Sequence, residues 1–555
     1  PQLYNRCMKK HYLFLAGIIA LAAVLRWVGL DAKPLWLDEI MTAVFALGRS
    51  YNDLPLNRVF PLQDLSQIFS LNSATSCGEI AGLVASQSTH PPLFFCLMHA
   101  WLKAMGVATL PELAGGMRAI ASICGVATCA AIYYLGKAAF SPRIGLIAAA
   151  LMAVSPFAVY LSQEARHYTL PLLLISLALT VMVMIQKNLE NHQPAPLHLW
   201  LIWAIINAVG LWTHYFFLLA LVGQIGAMTF SQLWRRQFSP GMVFCLLPFL
   251  LFAPWYPVLM EHFSRQETDW FIPFEPSWTD GFTPIFQTIA GWLLMVVAFP
   301  VENQPLWIAI PAAISMVSFA AWLVRDFIVR HHFNYITSDS RLSSKIILIF
   351  TLIVLVELFI IVYILGKDIT SAVRYHFIYY PAVCVLLATG LAAEKPENQR
   401  QIIAVFAVGL LSSIFVVSDM AFQKPYQPAV VAKNMNLQPD LPLMVAVGYD
   451  TFQDVALGLS FALEVGKLRQ FHDNPPTDWG LWERHDGYHL VWECLAKLPE
   501  LPSRDKLNLW VVAPGLRRRD YPPQLLLSQG LNCMIDDKES YRIGIPYQLY
   551  RCGGS

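Results

Sequence analysis

Long apolar segments recur along most of this chain, and they limit its possible folds more than any other sequence feature. A helix needs about 20 apolar residues to cross the hydrocarbon core of a bilayer. Charged residues make up only 14% of the chain, against about 25% in a typical soluble domain. The pattern predicts a mainly α, polytopic membrane helical bundle. Its eleven predicted spans are roughly residues 11–30, 117–139, 144–161, 168–187, 198–213, 215–233, 242–259, 305–324, 346–364, 376–393 and 401–418.

Two further apolar segments, 91–105 and 284–300, are shorter and bounded by prolines. We predict that both are juxtamembrane helices lying along the bilayer surface. With a cytoplasmic N-terminus, this places the basic groups that flank the spans on the cytoplasmic side, as the positive-inside rule requires. If 91–105 alone became a span, several groups would move outside. These groups are Lys137/Arg143, Lys187 and Arg235/Arg236. The other basic groups on the predicted cytoplasmic side are Lys9/Lys10, Arg325/Arg330/Arg341/Lys345 and Lys395/Arg400.

The composition predicts two domains. Residues 1–418 form a transmembrane module, whose first outer loop is 31–116. From residue 419 charges and prolines return, so 419–555 is predicted to be a small α/β domain. An odd number of spans places this C-terminal domain on the extracytoplasmic side. Its predicted elements are strands at 443–447 and 509–512, a helix at 452–465 and a terminal strand or hairpin at 540–551.

The net charge and the cysteines exclude some classes of function. A formal net charge of +1 gives no reason to expect nucleic acid as a partner. No CxxC or Cys/His spacing typical of a zinc site occurs in the ten cysteines. A Cys533–Cys552 disulfide is compatible with an oxidising compartment. Five cysteines in apolar segments are interpreted as packing residues: Cys96, Cys124, Cys129, Cys245 and Cys384.

An adjacent acidic pair, Asp38 and Glu39, follows the first apolar segment on the predicted outer side. Two carboxylates near a bilayer lose hydration and repel each other, so acidic residues at membrane level are candidates for function. The alternative is that Asp38 caps the first turn of an interfacial helix. The position alone does not distinguish the two.

Other polar residues converge on the same predicted face. They are His90 before paired prolines, Arg166 and Tyr168 between two spans, His214 and Tyr215 at a second corner, and Arg374 and Tyr375 at a third. Each has a simpler interpretation: the arginines reach headgroups, the histidines are satisfied polar residues at helix ends, and the tyrosines anchor the interface. Their convergence at one depth favours a functional site.

At these motifs the chain resembles the bacterial polyprenyl-phosphate-sugar glycosyltransferases. These are type C membrane enzymes related to protein O-mannosyltransferases and to the aminoarabinose transferase of lipid A. The resemblance covers about residues 10–420. It rests on Asp38-Glu39, Ser88-Thr89-His90-Pro91-Pro92-Leu93, Ser162-Gln163-Glu164-Ala165-Arg166-His167-Tyr168, Trp270-Phe271-Ile272-Pro273 and Arg374-Tyr375. Some relatives carry a lysine or a glutamate where this chain has His90.

The resemblance implies a type C fold in the bacterial inner membrane and an active site on the outer face. It also implies a polyprenyl-phosphate-linked sugar donor, inversion at the anomeric carbon, and an essential acidic residue in the first outer loop. By position this residue is Asp38, with Glu39 as its neighbour. The acceptor is a lipid, a glycan or a protein.

The residue chemistry agrees with this interpretation. Asp38 is the candidate general base for the acceptor hydroxyl, a role that contributes about 10²–10⁴-fold. Arg166 and Arg374, with Tyr168, are the candidate ligands of the donor phosphate, because guanidinium groups bind phosphate oxygens in pairs. The candidates for orienting substrates are His90, His214, Tyr215 and Tyr375. No cofactor is predicted from the residues, and a divalent metal held by carboxylate and histidine stays an open alternative.

A multi-span lipid or glycan transporter is the main alternative function. Such proteins show internal repeats and interrupted helices at the middle of the membrane. The sequence shows no internal repeat, and its charged residues cluster toward the outer interface. The pattern therefore favours an enzyme.

Overall fold

Most of the chain folds into helices. The computed structural model describes residues 2–107, 109–236, 238–265, 280–330, 338–392, 396–469, 475–498, 506–527 and 531–553. The helices of the first part are α1 (Gln2–Trp27), α2 (Leu37–Ala46), α3 (Leu65–Ile68), α4 (Cys77–Gln87), α5 (Leu93–Met105), α6 (Leu110–Ala139), α7 (Pro142–Val154), α8 (Pro156–Ser162), α9 (Thr169–Glu190), α10 (Leu197–Thr213) and α11 (Phe217–Arg235). Those of the second part are α12 (Leu247–Phe252), α13 (Tyr256–Ser264), α14 (Thr283–Val296), α15 (Leu306–Arg330), α16 (Ser338–Tyr363), α17 (Tyr380–Leu391), α18 (Pro396–Val417), α19 (Pro428–Met435), α20 (Phe452–Arg469) and α21 (Tyr488–Ala496).

The predicted spans correspond to these helices. Among the described residues, eight helical segments are long and apolar enough to cross a membrane, and the bent pair α7 and α8 makes a ninth. The shorter apolar helices α10 and α17 coincide with the two remaining predicted spans. The predicted juxtamembrane segments correspond to α5 and α14. The mainly α membrane bundle is therefore confirmed.

The chain divides into two compact units. We call Pro1–Leu30, Val84–Phe94 and Arg118–Phe422 the helical unit, and Asp31–Leu83, Phe95–Met117 and Gln423–Ser555 the sheet unit. The sequence placed the whole 31–116 loop in the transmembrane module. In the structure most of this loop instead folds with the C-terminal residues. The contacts responsible join residues far apart in the sequence, such as Ser460 and Leu35, which are hydrogen-bonded across 425 positions. No local pattern reveals them.

In the described part of the sheet unit, seven strands form one sheet. The strands are β1 (Val59–Pro61), β2 (Leu443–Tyr449), β3 (Thr477–Glu483), β4 (Lys506–Val512), β5 (Gln524–Leu526), β6 (Asn532–Ile543) and β7 (Ile545–Gly553). Their spatial order is β1-β3-β2-β4-β7-β6-β5, with parallel pairing of β2 to β3 and β4 and antiparallel pairing elsewhere. The central strand β2 is buried along its whole length, as is typical of parallel strands covered on both faces. The α/β prediction is confirmed, and the edge strand β1 comes from the 31–116 loop.

Two disulfides lie within the sheet unit. Cys533 and Cys552 face each other on β6 and β7 and are bonded, which confirms that predicted pair. The second bond joins Cys77 to Cys96. The interpretation of Cys96 as a packing residue was therefore wrong. Its apolar neighbours on α5 concealed a partner that the fold brings from α4.

A buried arginine holds the bent pair α7 and α8 in the helical unit. The chain bends by 60° between the two helices. Pro156 at the start of α8 has no N–H that could donate to the carbonyl oxygens of α7. Arg26 on α1 is fully buried, and its guanidinium donates to the carbonyl oxygens of Met152 at 2.9 Å and Ala153 at 3.1 Å. Its Nε donates to Ser162 Oγ at 3.1 Å. Arg26 thus donates hydrogen bonds to the carbonyl oxygens at the end of α7, which the bend leaves without a backbone donor.

Further hydrogen bonds join the segment after α8 to α1 and α6. Gln163 Nε2 donates to the carbonyl oxygens of Leu25 and Val28 near the end of α1. Ser122 Oγ on α6 lies 2.8 Å from the Ser162 carbonyl oxygen. A methyl group at Gly125 would lie 2.1 Å from Ser162 Oγ, so the close approach of α6 requires a glycine. The loop after α8 therefore starts from a fixed position.

We expect Arg26→Leu to destabilise the protein. It leaves two carbonyls and a hydroxyl buried without this donor, and each such group costs about 1–3 kcal/mol. The free energy of unfolding should fall by roughly 3 kcal/mol, measured as a lower thermal midpoint of the purified protein in detergent. Arg325→Leu, which removes an exposed arginine at the end of α15, should leave the midpoint unchanged. Equal midpoints for the two variants would contradict this role.

Candidate active site

Polar residues from four separate segments meet at one end of the helical unit. His90 precedes α5, and Arg166, His167 and Tyr168 lie between α8 and α9. The two other segments are the corner at His214 between α10 and α11, and the 3₁₀ helix Val373–Ile378 before α17. Seven of the nine sequence-predicted site residues belong to this unit: His90, Arg166, Tyr168, His214, Tyr215, Arg374 and Tyr375.

Three histidines form the centre of this site. The ring centroids of His90 and His167 are 4.8 Å apart, those of His167 and His214 4.5 Å, and those of His90 and His214 6.1 Å. His167 is fully buried, and His214 is 5% exposed. The rings of Phe94 and Phe377 pack against them. We refer to His90, His167 and His214 as the histidine cluster.

Two arginines flank the histidine cluster. The guanidinium of Arg166 lies 5.8 Å from the ring centre of Tyr168, and that of Arg374 lies 5.6 Å from the ring centre of Tyr375. The two tyrosine rings are themselves in contact, with centroids 6.4 Å apart. Arg166 is 4% exposed. The site thus combines two permanent positive charges with aromatic walls.

The histidines in this site are uncharged. Burial and the positive charges of Arg166 and Arg374 hold the pKa of His90 and of His167 well below the usual value. The same causes lower the pKa of His214 to about 3. The cluster therefore adds polar nitrogen atoms to the site without adding charge.

Hydrogen bonding fixes the tautomer of His214. Its Nδ1 accepts from the backbone N–H of Phe216 at 3.0 Å, so the ring proton is on Nε2. Within the described residues, neither this Nε2 nor either ring nitrogen of His167 has a hydrogen-bond partner. Buried polar atoms of this kind normally find a partner in the protein, in water or in a ligand. The geometry provides donors for a polar substrate.

Tyr215 has a different environment from the other candidates. His262 Nε2 donates to the Ala85 carbonyl at 3.0 Å, so His262 Nδ1 accepts from the Tyr215 hydroxyl at 2.8 Å. The Tyr215 oxygen in turn accepts from Trp255 Nε1 at 2.9 Å. Arg265 also donates to the Ala85 carbonyl. These bonds fix the segment leading to His90, and a direct contact of Tyr215 with substrate stays a prediction.

Asp38 and Glu39 lie in the sheet unit, in the first turn of α2. Glu39 is fully buried, and its Oε2 accepts from the Trp36 N–H at 3.4 Å, so the capping role belongs to Glu39. Asp38 is 9% exposed. The catalytic roles of both residues stay predictions. The motif at Trp270–Pro273 lies outside the described residues.

Sequence reasoning missed His167, which lies inside a quoted motif but was not selected as a site residue. A signal was present: the polar run from Ser162 to Tyr168 joins two apolar segments, and the structure buries every residue of it. The roles of Arg26, His262 and Arg265 had no local signal. Among the described residues, no group of three or more His, Cys, Asp or Glu is placed to hold a metal.

Comparisons with known proteins agree with the motif resemblance. Residues 89–260 match the family model of dolichyl-phosphate-mannose-protein mannosyltransferases. The sequence matches no curated protein at a significant level. The match confirms the resemblance to membrane glycosyltransferases and the enzyme class that it implied.

This chain is also similar to solved structures. The crystal structure of ArnT from Cupriavidus metallidurans in the apo state matches with 12% identity, 97% coverage of both chains and a TM-score of 0.50. The same protein bound to undecaprenyl phosphate matches equally well. AglB from Archaeoglobus fulgidus, an oligosaccharyltransferase solved with an inhibitory peptide and a dolichol-phosphate, has 13% identity, covers 78% of this chain and 58% of its own, and has a TM-score of 0.39. The likeness to ArnT confirms the type C fold.

The low pKa values of the histidine cluster predict instability in acid. In the unfolded chain a histidine has a pKa of about 6.5, whereas burial and the two arginines lower the pKa of His214 in the folded protein to about 3. Between these values the unfolded state binds a proton that the folded state does not, so stability falls as the pH falls. We expect the thermal midpoint of the purified protein to drop from pH 6.5 to pH 4.

A matched pair of variants tests the assignment. His167→Leu should reduce this pH dependence, because it removes one buried titrating group. His198→Leu, at an exposed position on α10, should retain it. If both variants keep the full pH dependence of the unmodified protein, the histidine cluster is not its source.

Proposed function

We propose that this membrane glycosyltransferase moves a sugar from a polyprenyl-phosphate donor to an acceptor hydroxyl, with inversion at the anomeric carbon. The acceptor is carried by a lipid, a glycan or a protein. The observation that carries the proposal is that Arg166 and Arg374 both flank the histidine cluster. Both guanidinium groups depress the pKa of all three histidines, so both lie close to the same cluster. The undecaprenyl phosphate bound by ArnT supports a donor lipid of this type.

The arginine pair suits the leaving group of this reaction. As the bond between the anomeric carbon and the phosphate oxygen breaks, negative charge develops on the polyprenyl phosphate. Guanidinium groups bind phosphate oxygens through parallel hydrogen bonds and stabilise that charge. Because the site is buried, these interactions are stronger than they are in water. The uncharged histidines orient oxygen atoms of the donor without competing for the charge.

Asp38 is the proposed general base. In a single displacement the acceptor oxygen attacks the anomeric carbon while its proton passes to a carboxylate, and no covalent sugar–enzyme intermediate forms. Inverting glycoside hydrolases separate the acidic and basic groups in the same way. Support comes from the position of Asp38 after the first span and from the motif resemblance. The adjacent residue, Glu39, is proposed to support Asp38. Its buried carboxylate accepts a hydrogen bond from the Trp36 N–H at the N-terminus of α2.

We propose that the sheet unit is extracytoplasmic and that the protein lies in a bacterial inner membrane. The distribution of Lys and Arg supports this orientation. The disulfides Cys77–Cys96 and Cys533–Cys552 support it independently, because such bonds persist in oxidising compartments. The first pair lies in the first outer loop and the second near the C-terminus. Both segments are therefore proposed to face the same side.

Replacing the arginines tests the donor site. Arg166→Ala and Arg374→Ala should each weaken binding of undecaprenyl phosphate by about tenfold, the loss of roughly 1.4 kcal/mol. Arg166→Lys should restore part of the affinity, because it keeps the charge but not the paired hydrogen bonds. Binding to the purified protein can be measured by native mass spectrometry. Arg325→Ala provides the control, and unchanged affinity in both site variants would refute the phosphate role.

Replacing Asp38 tests the chemistry. Asp38→Asn should lower sugar transfer by about 10²–10⁴-fold, measured with a lipid-phosphate-linked sugar, while undecaprenyl phosphate still binds. Asp31→Asn, an exposed neighbour in sequence, should keep its activity. A transporter would retain transport in the Asp38 variant and show no sugar transfer in any variant. Loss of lipid binding in the Asp38 variant would instead indicate a structural role.

A further inference from the structure

A cavity lies in the helical unit, at the end opposite to the histidine cluster. It has a volume of about 260 Å³ and is formed where α9 and α11 end. Helix α9 begins beside Tyr168 and reaches the cavity at Gln186, which at 1.5 Å per residue is about 27 Å along the helix. The cavity is therefore separate from the proposed active site. Its polar lining includes Gln186, His192, Ser231, Gln232 and Arg235.

Three buried polar side chains line this cavity, and within the described part of the chain each has one polar atom without a hydrogen-bond partner. Gln186 is 2% exposed, Ser231 6% and Gln232 3%. Among the described residues, Gln186 Nε2, Ser231 Oγ and Gln232 Nε2 make no hydrogen bond. The amide of Gln232 is oriented by its other end, because its Oε1 accepts from the Ser239 N–H at 2.9 Å. Leaving such donors unmatched costs about 1–3 kcal/mol each, so the cavity favours an occupant with several acceptor oxygens.

The charges around the cavity favour an anion. Arg235 lines it and pairs with Glu190 at 2.9 Å. Lys187 and Arg236 lie in the last turn of α9 and directly after α11. The C-terminal ends of two helices carry partial negative charge. Arg235, Lys187 and Arg236 bring three positive charges to these two helix ends, against the one carboxylate of Glu190. This net charge exceeds the effect of the helix ends, because each end contributes only about half a charge.

Exposed apolar side chains at the end of α11 point to a lipid as the source of the anion. Phe238, which lines the cavity, is 71% exposed, and Trp234, the residue before Arg235, is 75% exposed. Tryptophan at the end of a membrane helix is typical of headgroup depth. A phosphate esterified to a lipid matches this surface, because its oxygens meet the buried donors while its acyl chains remain among apolar residues.

We propose that this cavity binds a phosphate group, carried by a phospholipid of the leaflet that faces the C-terminal ends of α9 and α11. Gln186, Ser231 and Gln232 donate to its oxygens, and Arg235 supplies charge. By the positive-inside assignment this leaflet is cytoplasmic. The site is independent of the proposed transfer reaction.

Lipid binding to the full-length purified protein tests the proposal. The probes are phosphatidylglycerol, phosphatidylcholine and inorganic phosphate, each titrated in detergent and followed by native mass spectrometry. The double variant Gln186→Leu/Gln232→Leu should weaken phosphatidylglycerol binding at least tenfold. Gln67→Leu, the same change at an exposed position of the sheet unit, should leave it unchanged. Arg235→Gln should weaken phosphatidylglycerol more than zwitterionic phosphatidylcholine.

The arms of the experiment separate the two sources of phosphate. Phosphatidylglycerol binding that depends on the cavity residues establishes a lipid site. Binding of inorganic phosphate alone, with the same dependence, assigns the cavity to a free phosphate. If neither probe responds to the double variant while its thermal midpoint matches that of Gln67→Leu, water satisfies the cavity and the proposal is overturned. Arg235→Gln keeps the test valid if the double variant does not fold.

Discussion

The site in the helical unit depends on how the protein satisfies polar groups where a membrane helix breaks. Carbonyl oxygens freed within a bilayer have no water to bind, so a protein partner must supply the donors. Arg26 does so for the end of α7 and also contacts Ser162 at the end of α8. The bend therefore becomes a rigid corner. The segment that carries Arg166, His167 and Tyr168 starts directly from it, so contacts with α1 help to position the proposed donor site.

The uncharged state of the histidine cluster follows from its two arginines. A third positive charge beside Arg166 and Arg374 would be repelled by both and would lose hydration in a buried site. Neutral imidazole rings avoid that penalty and still provide hydrogen-bond donors, as the tautomer of His214 illustrates. A lysine in place of His90 would add charge to the same volume. The site thus separates charge, supplied by guanidinium groups, from hydrogen bonding, supplied by imidazole.

The sequence predicted the helices of the membrane bundle well because their signal is local. Apolar length, proline boundaries and the distribution of Lys and Arg act within about 20 residues. The motifs also identified seven residues that the structure gathers in one unit. Contacts between distant segments were not predictable. An example is the pairing of β1 with β3. The Cys77–Cys96 bond spans only 19 positions, but no cysteine spacing motif marked it. Similarly, the hydrogen bonds of Tyr215 with Trp255 and His262 do not follow from any spacing in the sequence.

The division into compact units separates the proposed chemical roles. The candidate phosphate ligands Arg166 and Arg374 belong to the helical unit, while the candidate base Asp38 belongs to the sheet unit with the C-terminal strands. Within the sheet unit, Ser460 of α20 donates to the Leu35 carbonyl, and Lys424 lies 4.0 Å from the ring centre of Trp36. Both contacts bind the segment just before Asp38 to C-terminal residues. The C-terminal part therefore positions α2 and its carboxylates, in addition to any contact that it makes with an acceptor.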